Sequence, residues 1–430
     1  MSADPFAIPL PELRRRTSKK WSVVSGDQLP LWVAEMDVRL APAITERLHE
    51  MVELSDTGYP GTHRDFADAF ASFADRHWSW HVDPAQCRVF PDLGASGGAL
   101  LRQFAGQDGR VLVTTPMYNA FFDWVQRAGL TCEDAPSCPD TGAPNLEAIE
   151  RAFADGVRVM LLGNPQNPIG RTWRRSELEQ LAALADHHGA VVVADEIHAP
   201  LVHPDAQFIP FLTVSDAARR VGVCITSASK GWNLAGLKAS LLVKDEMGPD
   251  LPAALDGGND AGHLGVVAGA IAFSPACDQW IETVRTLLAE RTRRIAARLR
   301  EEIPGVRVRD PEAGYLLWLD FTDVPGLWDS APSAAAPAGS DGELTAAYAG
   351  AAARAIVGDA APAAPQAEAS LADILLERAG VLCSPGESYA PGSTRFARLN
   401  AGTSDAVLDE AVDRIVRAVS AIHAGKEPAR

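Results

Sequence analysis

The chain has 430 residues, 47% hydrophobic and 22% charged, the proportions of a soluble globular protein long enough for two domains. Its 39 basic and 56 acidic residues leave a formal charge of -17, which argues against attraction to nucleic acid or to anionic membrane. No apolar run approaches the ~18–20 residues needed to span a bilayer. Met1 to Pro11 lacks the charged start and apolar core of a signal peptide.

In chain order, the first distinctive element is Gly94-Ala95-Ser96-Gly97-Gly98, ahead of a helical pattern over Ala99 to Ala105. Backbone N–H groups at a helix start, free of bulky side chains, make a phosphate cradle. Short apolar runs follow at Arg110–Thr114, Val157–Leu162, Ala190–Ala194 and Val221–Ile225, each reading as a buried strand. Between them lie helical patterns such as Ser176–His188, with Leu178, Leu181, Leu184 and Ala185 on one face. Strands alternating with helices predict βαβ units and a mainly parallel sheet, with ligands bound beyond the carboxyl ends of the strands. A second, smaller α+β domain is expected from near Pro275, with a long Arg-rich helix over Trp280–Ile303 and a strand over Gly314–Phe321. The expected division is 45–275 for the large domain, and 1–44 with 276–430 for the small one. Segment 331–370 holds 18 alanines and one basic residue, Arg354, and reads as an insertion. Within it Gly342–Ile356 has helical character, and Asp359–Ser370 reads as a flexible surface stretch. The six cysteines show no CxxC pair and read as reduced thiols of a cytoplasmic protein, Cys224 and Cys383 being core.

Chemistry concentrates where strands end. Lys230 follows the run ending at Ile225 and sits among Ser227, Ala228 and Ser229. Asp195 ends another apolar run thirty-five residues upstream, and Asn167 precedes it by twenty-eight. An amine that attacks a carbonyl, an anchored phosphate and a buried carboxylate together suggest pyridoxal phosphate held by a lysine Schiff base. In that reading Asp195 pairs with the pyridine nitrogen and keeps the ring protonated; the plain alternative is a capping carboxylate. Asn167, in Asn164-Pro165-Gln166-Asn167-Pro168-Ile169-Gly170, is either part of an ordinary Pro/Gly turn or a donor to the phenolate oxygen. Ser227 and Ser229 add hydroxyl donors for the phosphate. Tyr118 either stacks on the pyridine ring or lies at a rim. Arg398, between Phe396 and Leu399, offers a guanidinium fork for a substrate α-carboxylate, the alternative being a surface arginine. No metal site is expected.

The Asn167, Asp195 and Lys230 spacings resemble those of the fold-type I, class I/II aminotransferase superfamily of PLP-dependent enzymes. Arg16-Thr17-Ser18-Lys19-Lys20-Trp21, Pro30-Leu31-Trp32-Val33-Ala34-Glu35-Met36-Asp37, Asp195-Glu196-Ile197-His198, Trp232-Asn233-Leu234-Ala235-Gly236-Leu237 and Arg398-Leu399-Asn400 resemble its MalY/PatB-type cystathionine β-lyase branch. The resemblance spans nearly the whole chain except about 324–370. The chain departs from the branch at Glu35, at Gly94-Ala95-Ser96 and at Gly231-Trp232.

The resemblance implies a PLP transferase fold of type I and a carbon–sulfur lyase. Such an enzyme cleaves cystathionine or related cysteine S-conjugates to pyruvate, ammonia and a thiol by α,β-elimination, with Lys230 as the base. It places Gly94, Ala95, Ser96 and Lys238 at the phosphate, the last where an arginine is usual. It places His198 near the phenolate oxygen, with a purely structural histidine as the alternative. It places Trp32, Asn167 and Arg398 at the substrate, and Tyr59 at the phosphate of a neighbouring subunit, hence a homodimer. Two other outcomes stay open: an aminotransferase using the same Lys230, Asp195 and Arg398, and a regulatory protein that retains the fold.

Overall fold

The computed structural model describes residues 4–61, 64–106, 109–251, 255, 261–328 and 369–423. The expected helix at Gly342–Ile356 lies outside them, as does most of the 331–370 insertion. The chain divides into two compact units: residues 40–167 with 171–285, and residues 1–39 with 168–170 and 286–430. Among the described residues there are twelve strands: β1 (Leu29–Leu31), β2 (Cys87–Phe90), β3 (Arg110–Val113), β4 (Thr131–Asp134), β5 (Val159–Gly163), β6 (Val191–Asp195), β7 (Gly222–Thr226), β8 (Ser240–Val243), β9 (Arg307–Val308), β10 (Leu316–Asp320), β11 (Val381–Pro385) and β12 (Phe396–Asn400).

The first unit carries a seven-stranded sheet in the order β2-β8-β7-β6-β5-β3-β4. Strands β4, β3, β5, β6 and β7 run parallel, and β8 is antiparallel to both of its neighbours. The central strands read Val-Met-Leu-Leu-Gly, Val-Val-Val-Ala-Asp and Gly-Val-Cys-Ile-Thr and are almost wholly buried, the pattern of strands covered on both faces. Their register aligns Gly163 with Asp195 and Asp195 with Ile225, so β5, β6 and β7 end at one level. That level is where the three candidate turns begin.

Helix Arg175–His188 covers the sheet with Leu178, Leu181, Ala182 and Ala185, all fully buried. Each such leucine is worth about 1.5–3 kcal/mol by area removed from water. The helix starts where the Glu177 carboxylate accepts the Arg174 N–H at 2.8 Å and stops at Gly189, whose φ of 64° suits glycine.

The second unit carries a five-stranded sheet, β1-β11-β12-β10-β9, with β1 parallel to β11 and the other pairs antiparallel. Trp21, Leu29, Leu317, Leu319, Leu399 and Ile415 belong to its core. The arginine excess of the long helix, Asp278–Glu302, has a local cause. Arg294 pairs with Asp405 and Asp409, and Arg298 with Asp413, all on the terminal helix Asp405–His423. Exposed pairs of this kind add at most about 1 kcal/mol each, so they fix helix register more than stability. At the end of the expected flexible surface stretch, Ser370 differs from expectation. That residue is buried and caps helix Leu371–Ala379, its Oγ accepting the Asp373 N–H at 3.2 Å.

Candidate active site

A cavity of about 320 Å³ opens in the first unit, and Asp195, Lys230, Asn167, Tyr118, His198 and Ser229 line it. Ser227, Lys238 and Gly94 line it too. Six of these nine residues, Asn167, Asp195, His198, Ser227, Ser229 and Lys230, close or follow β5, β6 and β7, whose common end level gathers them.

Asp195 closes β6 and is 6% exposed. Its Oδ1 accepts the Ile197 N–H at 3.1 Å. Burial pushes its carboxyl up to about 7, opposed by that hydrogen bond and by the Lys230 ammonium. A carboxylate so placed ionises readily only beside a cation.

The next residue, Glu196, points the other way, as successive side chains do at a strand end. Its Oε1 accepts the Phe211 N–H at 2.8 Å and its Oε2 the Cys224 thiol at 3.2 Å. Burial, first of all, pushes it up to about 8. The folded state thus holds a proton that the unfolded chain releases near 4.5. The associated stability is complete below 4.5 and is lost as pH rises through about 8. Glu196→Gln is expected to melt progressively higher than the parent as pH rises from 5 to 8.5, reaching a gap of a few degrees. Calorimetry across that range checks this, and parallel curves for the two proteins would refute it.

Lys230 is set on a short, well-anchored helix, Ala228–Gly231. Ser227 Oγ donates to the Ala239 carbonyl at 2.6 Å and accepts the Ser229 N–H at 3.1 Å. Its single proton is thus used, so the 2.8 Å contact between the two hydroxyls has Ser229 donating. Trp232 is fully buried between Phe73 and Phe273, at ring distances of 5.6 and 5.3 Å. A Cβ at Gly231 would lie 3.2 Å from Pro200 Cβ. The unusual Gly-Trp pair after the lysine is therefore a packing solution: a small residue against Pro200 and a large one in an aromatic cluster.

The turn after β5 separates its two asparagines. Asn164 is fully buried, donating to the Ile209 carbonyl at 3.1 Å and accepting the Trp173 N–H at 3.1 Å, whereas Asn167 faces the cavity. Gln166 Nε2 donates to the carbonyls of Thr114 and Pro116, both at 3.0 Å, and ties this turn to the one bearing Tyr118.

The glycine-rich segment differs from expectation. The helix begins at Leu93, not Ala99, with Asp92 as its cap, so the glycines lie inside it. Ala95 and Ser96 do not line the cavity; Ser96 is buried and its Oγ donates to the Leu93 carbonyl at 3.2 Å. Trp124, on helix Ala120–Arg127 and not singled out from the sequence, explains two of the glycines. A Cβ on Gly97 would lie 2.6 Å from its indole, and one on Gly94 3.0 Å from its Nε1. Gly97→Ala is expected to displace this cavity-lining indole and cost about 1–3 kcal/mol, read as a lowered Tm with a red-shifted tryptophan emission. Unchanged melting and emission would count against that packing. Asp92, also missed, accepts the Ala95 N–H at 3.0 Å and the Lys238 ammonium at 3.2 Å.

Tyr59 is 96% exposed on a loop of the same unit and does not line the cavity. In the other unit, Arg398 and Trp32 are neighbours: Arg398 Nη2 donates to the Trp32 carbonyl at 2.7 Å. Arg398 is 3% exposed, and its guanidinium lies 4.7 Å from the Tyr389 ring.

The donor set fits pyridoxal phosphate: an amine on Lys230, a buried carboxylate that needs a cation, an aromatic wall at Tyr118, and hydroxyls plus an ammonium for an anion. Among the described residues no cluster of ligands suits a metal ion. Likewise, no single described helix is long and apolar enough to cross a membrane.

Comparison with known proteins agrees with a pyridoxal phosphate cofactor. The aminotransferase class I and II family matches residues 27–415. A Mycobacterium tuberculosis protein, provisionally named a cystathionine beta-lyase, is 35% identical over 96% of this chain and 97% of its own. Cystathionine beta-lyase PatB of Bacillus subtilis is 30% identical over 92% of this chain and 93% of its own. A crystal structure from Corynebacterium diphtheriae, provisionally described as a PLP-dependent beta-cystathionase, superposes with a TM-score of 0.80 at 29% identity. It covers 96% of this chain and 98% of that one.

Proposed function

Since the chain belongs to the class I and II aminotransferase family, we propose that it is a PLP-dependent carbon–sulfur β-lyase acting on cystathionine or a related cysteine S-conjugate. The observation that carries this reading is the gathering of Lys230, Asp195, Tyr118 and the Ser227/Ser229/Lys238 donors on one cavity.

When bound, pyridoxal phosphate supplies an electron sink for a carbanion at the substrate α-carbon. The chain's own groups do the rest. Asp195, made a carboxylate by a cationic ring nitrogen, keeps that nitrogen protonated. Ser229 and Lys238 would hold the phosphate, and Asn167 and His198, which line the same cavity, would serve the phenolate oxygen. Tyr118 walls the ring. Lys230 Nζ removes the α-proton and is then the acid available to the departing thiolate. Arg398 supplies the guanidinium for the substrate α-carboxylate. The balanced outcome for cystathionine and water is homocysteine, pyruvate and ammonia.

The test offers purified holoenzyme L-cystathionine without any keto acid. Pyruvate and free thiol released one to one support the lyase; turnover only with a keto acid makes the chain an aminotransferase.

A homodimer is part of the proposal. Val52, Leu54 and Tyr59 are large apolar or aromatic side chains left exposed close together in the chain, at 64%, 66% and 96%. A second copy would cover them, and Tyr59 would reach that copy's phosphate. A monomeric mass by light scattering at micromolar concentration would refute this. Four of the six cysteines are buried and all are free thiols, which supports a reducing, cytoplasmic setting.

A further inference from the structure

Apart from Trp32, two N-terminal motifs have no part in the chemistry above, yet they meet in one buried network. Lys20 and Asp37 are both fully buried, with Nζ 2.8 Å from Oδ2. Trp21 Nε1 donates to Asp37 Oδ1 at 2.7 Å. Lys20 Nζ also donates to the Glu35 carbonyl at 3.2 Å, and Ser18 Oγ donates to the Glu35 carboxylate. Helix Lys19–Ser22 thus grips one side of the strap formed by residues 32–37.

Strands β11 and β12 grip the other side. Asn400 Nδ2 donates to the Val33 and Glu35 carbonyls at 2.6 and 2.7 Å, and the Asp37 N–H donates to the Gly402 carbonyl at 2.7 Å. The Trp32 carbonyl accepts from Ser384 Oγ at 3.0 Å and from Arg398 Nη2 at 2.7 Å. One arm of the arginine is therefore committed to the strap, and the strap's position fixes the direction of the rest of the fork. A buried ion pair is a costly way to hold a loop, because both charges must leave water. Its presence here points to a demand for exact placement of the strap rather than for stability alone.

We propose that the Lys20–Asp37 pair is a positioning device for substrate recognition: it fixes the Trp32–Asp37 strap, which orients the Arg398 guanidinium toward the substrate α-carboxylate. The proposal rests on the assignment of Arg398 above.

The test uses holoenzyme and two amines followed by cofactor absorbance: L-alanine, which has a carboxylate and no leaving group, and ethylamine, which has neither. Asp37→Asn is expected to weaken L-alanine binding about tenfold, to leave ethylamine binding within twofold, and to raise KM with kcat nearly unchanged. Parental L-alanine affinity, or equal losses for both amines, overturns the proposal. Should Asp37→Asn give no folded protein, Ser384→Ala removes one bond to the same Trp32 carbonyl, and a several-fold loss confined to L-alanine is expected, its absence being the negative result. Arg398→Ala keeps the two assignments apart: if it binds L-alanine as the parent does, the carboxylate assignment itself fails, whatever Asp37→Asn shows.

Discussion

Lys230→Ala is expected to lower cystathionine turnover by about 10⁴-fold or more and to abolish the absorbance of a covalently held cofactor. A positioned base alone contributes about 10²–10⁴-fold, and the covalent link adds to this. Among the described residues the cavity offers one other amine, and it is poorly placed to substitute. Lys238, the other lysine lining the cavity, is 59% exposed and pairs with Asp92. Lys230 itself is held where it is by Trp232 in its aromatic cluster and by Gly231 against Pro200, so loss of the amine leaves its anchor intact. Pyruvate release and a visible spectrum of the variant are the measurements. A variant that retained its spectrum and a tenth of its turnover would end the assignment.

Asp195→Asn is the second large effect, about 10³-fold in kcat. An ion pair at 4 Å and an effective dielectric constant of 20 is worth about 4 kcal/mol, and 1.36 kcal/mol is a decade. The amide keeps the hydrogen bond from the Ile197 N–H and the shape but not the charge. A pH signature goes with it. In the cofactor-free protein burial holds the Asp195 carboxyl near 7, so below that pH its proton must leave before a cationic ring can pair with it. Cofactor affinity is therefore expected to fall as pH drops through about 7, by up to a decade per unit, relative to Asp195→Asn. Titrations of both proteins between pH 5.5 and 8.5 measure it. Identical pH profiles, or a kcat within threefold of the parent, would remove Asp195 from this role.

Much of this was legible in the sequence. Strands β5, β6 and β7 were read within two residues of their bounds, because Val/Leu/Ile runs bounded by turn residues have few other uses in a chain of alternating elements. The fold-type I architecture and the PLP chemistry followed from Asn167, Asp195 and Lys230 together with the motifs around them. The start of helix Leu93–Ala105 was not legible. Three glycines weigh against a helix by propensity, and only the Trp124 indole lying over Gly94 and Gly97 shows why the helix needs those two. Trp124 in turn is not singled out by the sequence, because nothing local distinguishes an indole that faces a cavity from one that faces a core.

The functional groups themselves are legible in the chain: an amine and hydroxyls just after one strand, a carboxylate at the end of another and a guanidinium within β12, in an order that points to the cofactor. Local spacing sets the amine and hydroxyls because they follow the end of β7 by a short turn. Only the tertiary structure decided what each group faces. Asp195 and Glu196 are adjacent carboxylates, yet the pleat sends one to the cavity and the other to Cys224 and the Phe211 amide. Lys20 and Asp37 lie in separate motifs, and burial joins them into one pair. Partnership depends on contacts between residues distant in the chain, and on how far each is removed from water, and neither is written in any short stretch of sequence.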